Sequence, residues 1–412
     1  MIRTLRRRDV ALLWTAGLVS VAGDWALMAA LPYFVYQETG STIATAGMAV
    51  AELVPGMVLS TFAGVFVDRW DRRRVLVVAN LAQAVTVLGL LLARDPAWLW
   101  VVFPVAFVQS SAAAFSGPAE SALLPSLVPP EELVPVNALN ALNNRLGRLA
   151  GLPLGAVVFA TTGLAGVVVV DALTFLAASA LVAAMSPVRR EQPDVPPRDE
   201  VGPTTAIGRV LDEWRAGLVL VRDDRTVAVL FAVFGVMTFG GTMLDPLYVP
   251  WIRDVLGAGA GTYAMLMTVH ALAGMGGSVL VGTRAAAWSP RLLMGVGSLV
   301  AGLLLLVKFN APLLWVTVLT TAVGGATSVA SSIGVEALAQ QQVPDGYRGR
   351  VFGSLQSTVW AMSLLGAAVG GGAGEVVGVL PAINAAALLV AFSGVVVLVA
   401  IPRRPRAAPA RR

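Results

Sequence analysis

Runs of about twenty apolar residues, the length that crosses a bilayer, recur between short polar breaks from one end of this chain to the other. That recurrence constrains the fold more than any other feature. The hydrocarbon core of a bilayer is about 30 Å thick, and a helix bonds its own backbone groups as it crosses. The runs fall at 10–37, 43–66, 75–94, 97–120, 139–162, 164–186, 225–252, 260–283, 291–309, 312–336, 352–374 and 379–401, which predicts twelve helices. Of the 412 residues, 57% are hydrophobic and 13% charged, with a mean hydropathy of +0.78. A soluble domain of this size cannot hide so much apolar surface. Soluble enzymes, nucleic-acid modules and disordered chains are therefore excluded. The first run is too long for a secretory leader and lacks a small-residue cleavage site, so it reads as a true span.

The residues needed for bond chemistry are missing. There is no cysteine and one histidine, His270. Disulfides, thiolate metal sites and multi-histidine metal sites are thus ruled out. Phosphate-cradling Walker A, G-x-S-x-G and H-E-x-x-H patterns are also absent from the sequence. The chain is expected to be no enzyme and to need no cofactor or metal. Movement of a solute would then run on an ion gradient or downhill.

Arginines orient the chain. With both termini inside, 26 basic residues fall on the inner side and three, Arg94, Arg253 and Lys308, on the outer. Basic residues favour the cytoplasmic side of short loops. The bias predicts a multi-pass protein of a bacterial cytoplasmic membrane with an even number of helices and cytoplasmic termini. The net charge of +5 therefore points to the bilayer as partner, not to nucleic acid.

The chain divides into matching halves. A polar stretch at 187–224 is Pro-rich and charged at first and then amphipathic. It reads as a cytoplasmic linker leading to a surface helix, between six-helix bundles at 1–186 and 225–412, the second with a basic tail. LPYFVY at 31–36 parallels DPLYVPW at 245–251, and ALLPSLVPPEELVPVNAL at 122–139 parallels ALAQQQVPDGYRGRVFGSL at 337–355. Both offsets are 214–215 residues. Two parallel six-helix pseudo-repeats form an all-α membrane architecture used by transporters.

The sharpest motif joins the second and third runs: Gly64, then Asp68-Arg69-Trp70-Asp71-Arg72-Arg73-Arg74. Gly64 permits close helix approach, Asp68 can pair with an arginine or cap a helix, and the arginines suit helix ends and anionic headgroups. The whole reads as an inward-side latch. In these residues the chain resembles the major facilitator superfamily, whose signature loop lies between helices two and three. The form with Asp71 is similar to the branch of the enterobactin exporter and macrolide-efflux-like proteins. Gly23-Asp24-Trp25 with Ala30-Leu31-Pro32, and Gly117-Pro118-Ala119 with Leu123-Leu124-Pro125, Val128-Pro129 and Asn137-Ala138, extend the resemblance. It implies the major facilitator fold and alternating access. The antiporter pattern of helix five is degraded here to Gly147-x-x-x-Gly151-Leu-Pro153-Leu-Gly155, and the second-half loop retains only Arg284 and Arg291.

Ionisable residues at membrane depth are costly and mark function by default. Asp24 in the first run and Glu52 in the second, just before Pro55-Gly56, are the candidates for proton or cation coupling. Asp245, Tyr33, Phe34, Trp360 and Met362 are candidates for substrate or proton binding. Glu120 and Glu336 are expected near the inner ends of helices four and ten, paired with arginines such as Arg145, Arg148, Arg348 or Arg350, as gates. Asp171 and His270 are weaker candidates. Lone intramembrane polar groups also serve as plain interhelical bonds, and aromatic residues near helix ends as interface anchors. The reading is a monomeric secondary transporter that exports a lipophilic or amphipathic small molecule (a drug, macrolide or siderophore-like compound) by proton antiport. Import of a small metabolite, or a non-transporting scaffold or sensor role, are the alternatives.

Overall fold

In a computed structural model, the structure describes residues 4–186, 225–284, 288–342 and 348–401. The linker at 187–224, the basic tail and Val343–Pro344 lie outside the described residues, as do the side chains of Gly64, Asp68, Arg69, Arg348 and Arg350. All elements among the described residues are helical: α1 (Arg8–Thr39), α2 (Thr42–Arg69), α3 (Arg72–Leu88), α4 (Val102–Leu123), α5 (Leu133–Ala183), α6 (Arg225–Met243), α7 (Asp245–Pro250), α8 (Ala260–Arg284), α9 (Pro290–Asn310), α10 (Leu314–Gln342), α11 (Arg348–Val376) and α12 (Val379–Ala400), with short 3-10 and π turns between them.

Eleven stretches among the described residues are long and apolar enough to cross a membrane. One of them holds two crossings. A straight helix of the 51 residues of α5 would run about 77 Å, more than twice the hydrocarbon thickness. It is broken at Gly163, whose φ of 68° and ψ of −165° lie where L side chains rarely go. The two arms, 133–162 and 164–183, bring the count to the twelve spans expected from the sequence.

Side-chain patterning is that of a protein in lipid. On α3, Val78, Leu81, Val85 and Leu88 are exposed while Leu76, Ala79, Asn80, Gln83, Ala84 and Val87 are buried. The polar residues face inward because only there do they find partners. Asn80 donates to the Leu76 carbonyl at 2.7 Å, and Gln109 of α4 donates to the Gln83 carbonyl at 3.2 Å. Helix starts are capped by side chains: Ser41 accepts from the Ala44 N–H, Asp71 from Arg74 and Ser289 from Leu292. Gly40, with φ 62°, closes α1 by donating its N–H to the Tyr36 carbonyl.

Two compact units result: Met1–Ala206 with Ala258–Thr268, and Ile207–Gly257 with Val269–Arg412. In the first, α1 lies along both arms of α5, α2 along α4, and α3 between α4 and the second arm of α5. In the second, α6 lies along α11 and α12, and α9 between α10 and α12. The neighbours of α6 thus repeat those of α1, and the neighbours of α9 repeat those of α3.

Candidate transport site

The α1–α5 seam is built on glycines. A Cβ added at Gly151 would strike the Ala22 carbonyl oxygen and lie 2.8 Å from Trp25 Cβ; one at Gly155 would lie 2.6 Å from Ala26 Cα; one at Gly147, 2.9 Å from Val21 Cβ. The motif that looks degraded in the sequence is a working contact face, one glycine per turn. Gly366 and Gly370 of α11 meet Phe239 and Met243 of α6 in the same way.

This tight approach places the charged groups. Asp24 is exposed on α1 between buried Gly23 and half-buried Trp25, one turn from exposed Met28, and makes no hydrogen bond or ion pair among the described residues. Behind it, a Cβ on Gly23 would collide with Thr174 Oγ1 and Asp171 Oδ1. Asp171 is fully buried, accepts a hydrogen bond from the Thr174 hydroxyl at 3.3 Å, and leaves Oδ2 without a partner among the described residues. Its carboxyl thus sits against the α1 backbone at Gly23, the residue before Asp24. Beside them, the Arg148 guanidinium stacks over the Trp25 ring at 4.5 Å. Its Nε is buried without a hydrogen-bond partner among the described residues. Trp25, Tyr263 and Met267 pack around Ala29, Leu152 and Ala264.

Glu52 is half-buried on α2, and its carbonyl accepts from the Ser110 hydroxyl of α4 at 2.5 Å. Tyr33 and Phe34 line a cavity of about 590 Å³ with Gln37, Glu38, Phe159 and Gly163. Tyr33 meets Phe159 edge-on, with ring centroids 5.8 Å apart. In the second unit Asp245 is exposed at the start of α7, with no hydrogen-bond or ion-pair partner among the described residues. Trp360 is half-buried, and Met362 packs on the α6–α11 seam, 3.5 Å from where a Cβ on Gly235 would stand.

The signature loop ties helix ends together. Arg72 donates to the Ala122 carbonyl of α4 at 2.8 Å. Arg73 donates to the Val182 carbonyl of α5 at 3.0 Å and also to the Ala183 carbonyl. Both place a cation on carbonyls that a helix C-terminus leaves without partners. Arg291, at the start of α9, donates to the Leu398 carbonyl of α12, so the eroded second loop keeps the same bond in the same place.

Three expectations are revised. Glu120 lies against Gly17, with its Oε1 3.2 Å from a Gly17 Cβ position, and makes no bond to Arg145 or Arg148 among the described residues, while the side chains of Arg348 and Arg350, its other expected partners, lie outside them; Arg145 and Glu336 are exposed. Arg148 is no inner-side loop residue, because α5 starts at Leu133 and carries it about 22 Å along the helix. Lys308, counted as an outer charge, is 6% exposed: its Nζ donates to the Tyr248 hydroxyl at 2.6 Å and sits 4.1 Å from the centre of that ring. Arg148, Asp171 and Lys308 were the site groups hardest to see beforehand. The one available signal was depth: Arg148 and Asp171 sit well inside apolar runs, whereas Lys308 stands at the end of its run and gave no such signal.

Residues 2–409 match the family described as transmembrane secretion effector, a family of MFS-type transporters. The chain belongs to that family. The family consists of membrane transporters, not enzymes, and this member is accordingly a multi-pass protein that moves a small molecule. Among its relatives, it is 25% identical over 368 residues to macrolide efflux protein A of Streptococcus pyogenes, covering 86% of this chain and 87% of that one. It is 25% identical over 414 residues to the multidrug efflux pump Tap of Mycobacterium tuberculosis, covering 96% and 94%. The nucleoside transporter NupG shares the fold with a TM-score of 0.74 at 13% identity, covering 95% of this chain and 99% of that one.

Proposed function

We propose that this family member exports lipophilic or amphipathic small molecules from the bacterial cytoplasm in exchange for protons, as a monomer working by alternating access. The observation that carries the reading is Asp24, a carboxyl partway along a membrane-length helix with no counter-cation among the described residues. An acid so placed can hold either a proton or the positive end of a substrate. Competition between the two for one site is what antiport requires. The names of macrolide efflux protein A and Tap support export of a drug-like compound. Glu52 is the second coupling candidate, and Tyr33, Phe34, Asp245, Trp360 and Met362 the binding candidates.

In this reading 1–186 and 225–412 are the two working halves, joined by the cytoplasmic segment 187–224, with both termini in the cytoplasm. Gly64, Asp68, Arg69, Arg72 and Arg73 form the inward latch, and Glu120, Arg145, Glu336 and Arg350 serve as gating groups. The test uses inverted membrane vesicles energised by respiration, with erythromycin or ethidium supplied in the bath as probes. Uptake that a protonophore abolishes, and that Asp24→Asn or Glu52→Gln removes without loss of folded protein, is expected. Unchanged energised uptake in both variants refutes the coupling assignment.

A further inference from the structure

We propose that Asp171 is the sealed half of a two-carboxyl proton site whose open half is Asp24. The inference rests on the proton-exchange reading above and extends it to a residue outside the set named there. Three observations carry it. Asp171 is fully buried. One of its carboxyl oxygens takes the Thr174 hydroxyl and the other takes nothing among the described residues. Its carboxyl presses on the backbone at Gly23, where no side chain larger than hydrogen fits, so it cannot swing away from Asp24 while α1 and α5 stay packed.

Among the described residues, the surroundings offer Asp171 no compensating charge. From α1 the ionisable group beside it is Asp24. From α3 the buried polar residues are Asn80 and Gln83, which carry no charge. Arg73 is spent on the carbonyls of Val182 and Ala183, eleven or more residues away and so about 16 Å along the helix. Arg94 is exposed beyond the far end of α3. From the first arm of α5, Arg148 stacks on Trp25, with no bond to either acid. A lone carboxylate buried without a cation is strongly disfavoured. Two neighbouring carboxyls then hold one proton between them more readily than two charges.

The division of labour follows from exposure. Asp24 exchanges its proton with water or binds a cationic substrate group; Asp171 holds the pair's proton when Asp24 is charged. Only O–H bonds change: a proton leaves one carboxyl oxygen as a water oxygen or the second carboxylate accepts it. Gly23 sets the spacing, and a shift of α1 against α5 would alter it, which gives helix movement a route to proton release.

The experiment is infrared spectroscopy of the purified full chain in lipid, with carbon-13 label on the aspartate side-chain carboxyls to identify aspartate bands. Wild-type protein should show the C=O band of a protonated, water-excluded aspartate that exchanges slowly with deuterium. Asp171→Asn should remove that slow band. Asp24→Asn, at an exposed position, should keep the band and move the pH at which it is lost by about one unit, the coupling at which two acids titrate as a pair. Absence of a slow aspartate band from wild type between pH 5 and 9 overturns the proposal without any variant. So does a band whose pH profile ignores Asp24→Asn. The vesicle assay separates the two readings: the infrared result with no protonophore-sensitive uptake leaves the carboxyl pair standing and sinks antiport, and the reverse places coupling elsewhere.

Discussion

Replacing Gly151 by alanine adds one methyl group to a seam with no room for it. The new Cβ would overlap the Ala22 carbonyl oxygen, lie 2.8 Å from Trp25 Cβ and 3.0 Å from the Ala22 carbonyl carbon. Two of these are backbone atoms, which no change of rotamer can move. Relief requires α1 and α5 to part by up to about an ångström, loosening the contacts at Gly147 and Gly155 as well. Overpacking of this kind costs about 1–3 kcal/mol, and the better helix propensity of alanine returns about 0.8–1 kcal/mol. The net expectation is a loss of about 0–2 kcal/mol, towards the upper end because backbone is struck. Gly276 on α8 is the matched control, since a Cβ there meets nothing within 4 Å and only the propensity gain remains. Thermal unfolding of the purified protein, followed by fluorescence of its ten tryptophans, reports both. Gly151→Ala should melt below wild type, and Gly276→Ala at or above it. Equal midpoints for the two variants refute the claim that these glycines set the approach of α1 to α5.

Other outcomes follow from the polar contacts. Arg73→Ala removes bonds to two carbonyls at the end of α5 and should cost about 1.5–3 kcal/mol in the same melt, whereas Arg74→Ala, at an exposed side chain, should change little. Arg291→Ala should mimic Arg73→Ala, because its bond to Leu398 does the same job in the second unit. Lys308, the one lysine of the chain, should resist an amine-reactive reagent in folded protein and react after unfolding; mass spectrometry of its peptide shows which, and fast labelling of folded protein contradicts its burial. A double-mutant cycle of Lys308→Met and Tyr248→Phe should give a coupling of about 0.5–3 kcal/mol, since Lys308 Nζ donates to the buried Tyr248 hydroxyl at 2.6 Å.

Much of the fold was legible because lipid imposes simple rules. Lengths of apolar runs located the crossings, and the matching offsets of Pro32 and Pro246 announced two repeats, matched by the helix packing of α6 and α9 against that of α1 and α3. The loop chemistry was only partly visible: Asp68 reads as a possible cap, but it is Asp71 that caps α3, accepting from the Arg74 N–H. What the arginines bind was not visible. Arg72 and Arg73 reach carbonyls fifty and more residues away, and no local pattern encodes such partners. The same holds for Glu120, which lies against Gly17 and makes no bond to Arg145 or Arg148 among the described residues.

The linear order of residues was enough to establish that this chain spans a membrane many times, in two related halves, with transport as its business. It was enough because hydropathy and arginine bias act locally, on one segment at a time, and need no knowledge of neighbours. The acids were different. Asp24 and Asp171 stand 147 positions apart, and nothing along the chain distinguishes an acid facing open space from one sealed in a core. Folding distinguished them: Gly23 let α1 settle against the second arm of α5, which buried one carboxyl beside the other and denied it a cation. Charge chemistry at membrane depth depends on who the neighbours are, and only packing chooses them.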